Sequence, residues 1–587
     1  MGRRKKKTLD ITGGGASPPL TGSIWQDGAL VSAEWFQISC IIVFGLLAHG
    51  ILALTDYVMW DSLIINHLVD SPNLFWVLSR LATDGGRPHE AVFYLPFAGS
   101  SNVVLAGKIT WIVIYILTFV ILKKTLPILF GFSRTFSFAI CAVALVMPFY
   151  EIMGELQFVI HAFPIFLFWL SWYSYGLFAD QNSAIAVVGR LASMTGLWFA
   201  FQMNSLLAFQ YGVLFLYLAN VLIRRGDFSW KFIFSKMFKI FDMAFLPIVF
   251  WFHKKWFCPM PSGSYMESVG YNQISKDFTV YIDGFFQTFS GVFEKFGSVF
   301  DTHLSSSLFI GGTLIGTFIY LFVRALQTDS KSPWRMILVS IFGGFLLLFL
   351  AIFPYVAVGK PYGAFSYDSR NGILLAMPIA MILVGALVGA QQLWLEKWAP
   401  CSRLAILALC CFGIIENNRN YLRLQGYGAK QDSIAMKVKE IIQKTPDVAV
   451  VHLREYFQFP KTPQWIPAVS WTYKLADRGK LPEVLVVDTR NFLPDQSATD
   501  NSGKIIPIFP KANFSPQDVE HFCWLSSIPY GMKKIKREGV TINLAALAGK
   551  SGLDAEKMGL IYIHKKITQP STLDAYVKNA SEIIILN

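Results

Sequence analysis

Asp56 and Asp61 stand in Thr55-Asp56-Tyr57-Val58-Met59-Trp60-Asp61, directly after the first long apolar stretch of the chain. A carboxylate at the rim of a membrane can take a proton from a hydroxyl or hold a divalent cation. It is equally at home there as a solvated boundary residue. Glu151 and Glu155 form a second acidic pair, in Tyr150-Glu151-Ile152-Met153-Gly154-Glu155, at the end of a later apolar stretch. Their spacing would place both on one face of a helix. Glu155 reads alternatively as the cap of the following helix, and His161, inside the next stretch, as an interhelical hydrogen-bonding residue.

Lys360 and Arg370 flank a short segment that holds Gly359, Pro361, Gly363 and Asp368. Arginine offers a planar fork of donors suited to phosphate, and lysine a mobile point charge. At the hydrocarbon boundary such a pair can neutralise a lipid phosphate, including one that develops charge as a leaving group. For Lys360, snorkelling to headgroups is the equal alternative. Arg87 and His89, in Gly86-Arg87-Pro88-His89-Glu90, complete the candidates for substrate or phosphate binding. Lys108 and Arg190 fall close enough to the ends of predicted spans to snorkel, and are set aside.

These residues must be positioned by membrane helices. The chain is 54% hydrophobic, carries 51 Phe and is only 15% charged, which no single soluble core could bury. Apolar stretches predict eleven spans, near 35–55, 104–122, 135–150, 157–178, 184–201, 205–223, 240–252, 306–324, 336–356, 371–390 and 403–417. With the basic tail 1–34 inside, the short loops rich in Lys and Arg fall on the cytoplasmic side, and this accounts for the net charge of +13 without nucleic acid. Asp56, Asp61, Glu151, Glu155, Lys360 and Arg370 then share the outer side.

Outer loops are expected at 56–103, 253–305 and 357–370. The first carries helix-like patterning at Leu63, Ile64, His67 and Leu68. The second carries an aromatic series at Phe285, Phe286, Phe289, Phe293 and Phe296, spaced for an amphipathic helix resting on lipid or protein. From about Asn418 the composition changes. Residues 448–453 and 483–489 read as buried strands and 433–443 as a helix, so 418–587 is expected to form an extracytoplasmic α/β domain. The seven cysteines show no metal-ligand spacing, and Cys258 and Cys523 fall on the side where a disulfide can form.

A first-loop acid after the first span, a second acidic cluster, a late basic loop and an extracytoplasmic C-terminal region together resemble the GT-C superfamily of polytopic glycosyltransferases. The segments from Trp60-Asp61 to Gly86-Arg87-Pro88, and Pro354-Tyr355 to Val358-Gly359-Lys360 with Ser369-Arg370, look similar to its bacterial members. The resemblance covers roughly 35–390 in layout. It implies transfer of a sugar from a polyprenyl-phosphate carrier to a glycan, lipid or protein acceptor, in a bacterial inner membrane. Asp61 or Asp56 would be the base, the adjacent acidic pair usual in the family being absent here. Arg370 and Lys360 would meet the leaving phosphate, and Glu151 or Glu155 would hold Mg²⁺ or Mn²⁺ in members that use a metal. A lipid-linked glycan ligase, a glycolipid transporter or flippase, and a non-catalytic scaffold are the competing readings.

Overall fold

The computed structural model describes residues 24–59, 62–68, 87, 89–96, 100–178, 181, 183–226, 229–258, 277–298, 334–364, 366–393, 399–443, 450–453, 474–475, 485–488, 506–507, 539–542 and 555–580. Six helices among them are long and apolar enough to cross a membrane, and the chain is a helical membrane protein. They are α1 (Ile24–His49, its apolar part continuing to Leu54), α3 (Val103–Phe130), α8 (Ser205–Arg225), α12 (Trp334–Ala357), α13 (Ala376–Leu393) and α14 (Ala399–Gln443). Three shorter apolar helices join them: α4 (Arg134–Val146), α6 (Ala162–Phe178) and α7 (Ala184–Ala200). The predicted span at 306–324 lies outside the described residues, and that at 240–252 falls on α10 (Phe241–Phe257), which follows a short helix α9 (Trp230–Lys239). Among the described residues, which take in ten of the eleven predicted spans, six helices are thus long and apolar enough to cross.

The reason is visible at α4. Every residue from Thr135 to Val146 is buried, because α1, α3, α13 and α14 surround it. Thirteen residues rise only about 20 Å, short of a bilayer core, so α4 fills the middle of the bundle. Unbroken apolarity marks burial on all sides as readily as a crossing. The chain from Met147 to His161 then turns instead of extending the helix.

The largest departure from expectation is α14. One helix of 45 residues runs through the change of composition at Asn418 and absorbs both the predicted span 403–417 and the predicted helix 433–443. Its polar middle is helical because its side chains find partners on other elements. Asn417 Nδ2 donates to Val146 O at 2.8 Å, Asn418 Nδ2 to Leu47 O at 2.8 Å and Asn420 Nδ2 to Glu151 O at 2.7 Å. These three amide donors are satisfied, as the interior of a membrane bundle demands.

The predicted amphipathic helix is α11 (Phe278–Ser298), with Phe286 and Phe293 exposed and Phe285 stacked on Phe349 of α12. The predicted helix after the first span is the short α2 (Ser62–Leu68). Beyond α14, β1 (Val450–Leu453) pairs in parallel with β2 (Leu485–Asp488) and with β4 (Gly539–Ile542), and β3 (Ile506–Pro507) runs antiparallel to β4. The chain then returns as α15 (Ala555–Thr568) and α16 (Leu573–Asn579), both packed on α14.

Candidate functional site

The described candidate residues lie toward one end of the bundle, where α1, α4 and α12 finish and α3, α6 and α13 begin. The segment 147–161 crosses this end, and its ionisable residues feed three separate networks. Gly154, at φ +82, makes the turn that separates Glu151 from Glu155. The acids therefore do not share a helical face, contrary to their spacing.

Glu155 is the first network. It sits immediately before the one-turn helix α5 (Leu156–Val159), buried, and its Oε2 accepts from the backbone N–H of Met59 at 3.0 Å. The Ser62 side chain also donates to it. The other oxygen, Oε1, is buried without a hydrogen-bond partner among the described residues. Burial lifts this carboxyl to about 7, against the opposing pull of Lys108. Lys108 does not snorkel. It is fully buried, and its Nζ donates to Thr55 O at 3.0 Å, Thr55 Oγ1 at 2.9 Å and Tyr57 O at 3.0 Å while lying 3.9 Å from the Tyr57 ring centroid. Lys108 and Glu155 thus fix the chain on its way out of α1. Asp61 lies outside the described residues, but Met59 and Ser62, on either side of it in sequence, both bind Glu155.

Glu151 belongs to the second network. Its Oε1 accepts from Lys295 of α11 at 2.5 Å and faces Arg423 at 3.4 Å. Lys295, fully buried, also donates to Glu416 at 3.1 Å, and Arg419 bridges Glu416 at 3.0 Å to Glu556 of α15 at 3.1 Å. Two cations on the Glu151 carboxylate oppose a divalent ion there, and no set of three or more His, Cys, Asp or Glu side chains suited to a metal occurs among the described residues. Glu151 and Glu155 are therefore not a fitting ligand pair.

The third network is cationic. Arg87 Nη1 donates to Glu90 at 2.8 Å, and His161 Nε2 lies 3.8 Å from the same oxygen. His89 stacks on His253 with ring centroids 6.2 Å apart. Lys254 donates to Asn204 at 3.0 Å, and burial, with Arg87 nearby, lowers it to about 8. Burial raises the Glu90 carboxyl against the pull of Arg87 and Lys254. Arg370 and Arg87 both act electrostatically on His161. Of the predicted phosphate-binding residues, Arg87, His89 and Arg370 are thereby brought to one neighbourhood.

No protein-family model matches the chain, and no curated protein does. The assignment of chemistry rests on its own residues.

Asp56 is placed differently from a solitary base. Lys566 of α15 contacts both of its oxygens and Tyr562 donates to Oδ2 at 2.9 Å, while Gln425 of α14 accepts from its backbone N–H at 2.7 Å. Lys360 is half-buried, and its carbonyl accepts from Asn371 at 3.0 Å. Asp368 falls in the turn Ser366–Gly372, its side chain outside the described residues. Cys258 is a free thiol, and Cys523 lies outside the described residues. Sequence reasoning passed over Lys295, Glu416, Arg419, Arg423, His253 and Lys254. The signal for three of them was present: Glu416-Asn417-Asn418-Arg419-Asn420 and Arg423 directly continue an apolar helix, where polar groups require partners.

Proposed function

We propose that the chain is a multi-pass membrane glycosyltransferase that moves a sugar from a polyprenyl-phosphate carrier to an extracytoplasmic glycan, lipid or protein acceptor. The observation that carries the reading is the anchoring of Met59 and Ser62 on Glu155, in the same segment whose His161 faces Arg87 and Arg370. A general base and a phosphate-binding patch are the two parts that such a transfer requires.

In this mechanism Asp61 takes the proton of the acceptor hydroxyl as its oxygen bonds to the anomeric carbon. The bond from that carbon to the phosphate oxygen breaks, and the polyprenyl phosphate leaves with the electron pair. Arg370 and Arg87 meet its charge, with Lys360 and His89 at the margin. Glu155 positions the loop that carries Asp61.

The orientation follows from charge. At the opposite end of the bundle Glu34 lies 3.5 Å from Arg134 and 3.9 Å from Lys124, and Arg335 donates to Asn220 at 2.6 Å. That basic end is cytoplasmic in our reading, with the N-terminus, in a bacterial inner membrane. The C-terminal region, for which the strands β1 to β4 support an α/β domain, is then extracytoplasmic and available to an acceptor.

The test is transfer of labelled sugar from polyprenyl phosphate by purified, reconstituted protein with an envelope acceptor extract. Asp61→Asn and Arg370→Ala are each expected to reduce the rate by about 100-fold or more. Transfer unchanged in both variants would remove the assignment, and movement of intact glycolipid across the bilayer without transfer would support a flippase.

A further inference from the structure

The helix α9 (Trp230–Lys239), at the basic end, buries none of its residues. Trp230, Phe234 and Phe238 are 75%, 63% and 84% exposed, one turn apart on a single stripe, and Phe241 and Phe245 continue the exposed aromatic surface into α10. Such a stripe cannot face water at this density without another apolar phase beside it. The helix is nevertheless fixed in place. Ser229 caps its N-terminus by accepting from Phe232 N–H, and at its other end the Lys239 carbonyl accepts from Arg190 at 2.8 Å, with Arg190 paired to Asp242 at 2.6 Å.

On the side away from the aromatic stripe, α9 leaves a cleft against the bundle with room for about one water, lined by Tyr175 and Tyr217, by the aliphatic Leu218, Val221 and Ile240, and by Lys236 and Lys239. The lining is mostly apolar, and the Tyr175 hydroxyl already donates to the Lys239 carbonyl at 3.5 Å, so the two ammonium groups are what this side of the helix offers an anion.

We infer that α9 lies in the membrane interface and that Lys236 and Lys239, on the side away from its aromatic stripe, meet the phosphate of an anionic phospholipid headgroup. The aromatic stripe sets the depth by entering the acyl boundary, which brings Lys236 and Lys239 to the level of the phosphates. The partner is a lipid because the apolar stripe and the two lysines belong to one helix, whereas a soluble anion would use the lysines alone. Anionic lipid supplies the complementary charge, and zwitterionic lipid does not. The inference does not depend on the proposed transfer, which takes place at the other end of the bundle.

Native mass spectrometry of the full chain, released from detergent with phosphatidylglycerol or phosphatidylcholine, reads the occupancy. Phosphatidylglycerol should remain bound, and Lys236→Gln with Lys239→Gln should lower its retention by about tenfold. Lys236→Arg with Lys239→Arg should restore it, which separates loss of charge from misfolding. Equal retention in wild type and the double Gln variant would overturn the inference, as would equal retention of phosphatidylcholine. Displacement of the lipid by millimolar inorganic phosphate alone would also overturn it, in favour of a small-anion site. A dimer peak lost with the same variant would replace the lipid by a second copy of the chain.

Discussion

Lys566 reaches both carboxylate oxygens of Asp56, at 2.7 Å each, across 510 residues of sequence. The first of the two acids after α1 is therefore an anchor for the returning helix α15. With an ammonium on both oxygens, this carboxylate is already committed to a partner within the protein. Asp56→Asn should leave sugar transfer within about tenfold of wild type, in contrast to Asp61→Asn. Both partners are a third or more exposed, so their coupling in a double-mutant cycle with Lys566→Ala should be about 1 kcal/mol or less. Loss of transfer in Asp56→Asn as complete as in Asp61→Asn would restore Asp56 as the base.

The buried cluster around Lys295 has higher stakes. Glu151, Lys295 and Glu416 are all nearly inaccessible, and Lys295 joins α11 to both the segment 147–161 and α14. Lys295→Met removes the cation between two buried carboxylates, and should cost about 3–5 kcal/mol in unfolding measured in detergent. Adding Glu416→Gln removes one of the uncompensated charges and should recover part of that loss. A Lys295→Met protein as stable as wild type would mean that Arg419 and Arg423 together compensate both acids.

Where α14 and α15 cross, glycine is required on both helices. A Cβ built on Gly426 would meet the Ala555 carbonyl, and one on Gly559 the Leu422 carbonyl, both inside contact distance. At an exposed helical position glycine to alanine gains about 1 kcal/mol. Here Gly559→Ala must push two backbones apart, and should instead destabilise the pair. Faster proteolytic release of the segment from 555 onward, compared with wild type, is the readout, and an unchanged cleavage rate would count against so close a crossing.

Much of this was legible because it is periodic. The apolar runs at 35–55, 104–122, 205–223, 336–356 and 371–390 coincide with spanning helices, and the Phe series from 285 to 296 with α11. The runs at 448–453 and 483–489 hold β1 and β2. What pattern could not reach depends on partners distant in the chain. The polar run after Ile415 looked like the end of the membrane domain because Val146 O, Leu47 O and Glu151 O, which satisfy it, are some 270 to 370 residues away. Lys295 was hidden among phenylalanines that explained its helix without it. The spacing of Glu151 and Glu155 suggested a shared face until Gly154 turned the chain between them. Gathering of Asp56, Glu151, Glu155 and Arg370 toward one end required only the parity of the spans, whereas their division into separate networks required coordinates.

Glu155, outside the spanning helices, offers a pH test of the site. Its folded-state value is about 7 against an ordinary 4.5, with burial as the main cause. A raised value means that the folded protein holds the proton more tightly than the unfolded chain. The resulting stability is fully present below about 4.5 and is lost as pH rises through about 7. Between pH 5 and pH 8 the thermal midpoint of wild type should fall more steeply than that of Glu155→Gln, whose side chain does not titrate. Lys108 pulls the carboxyl downward, so Lys108→Met should move the midpoint of the same transition to still higher pH. Parallel pH profiles for wild type and Glu155→Gln would show that this carboxyl is ionised throughout, and that Met59, Ser62 and Lys108 compensate its burial in full.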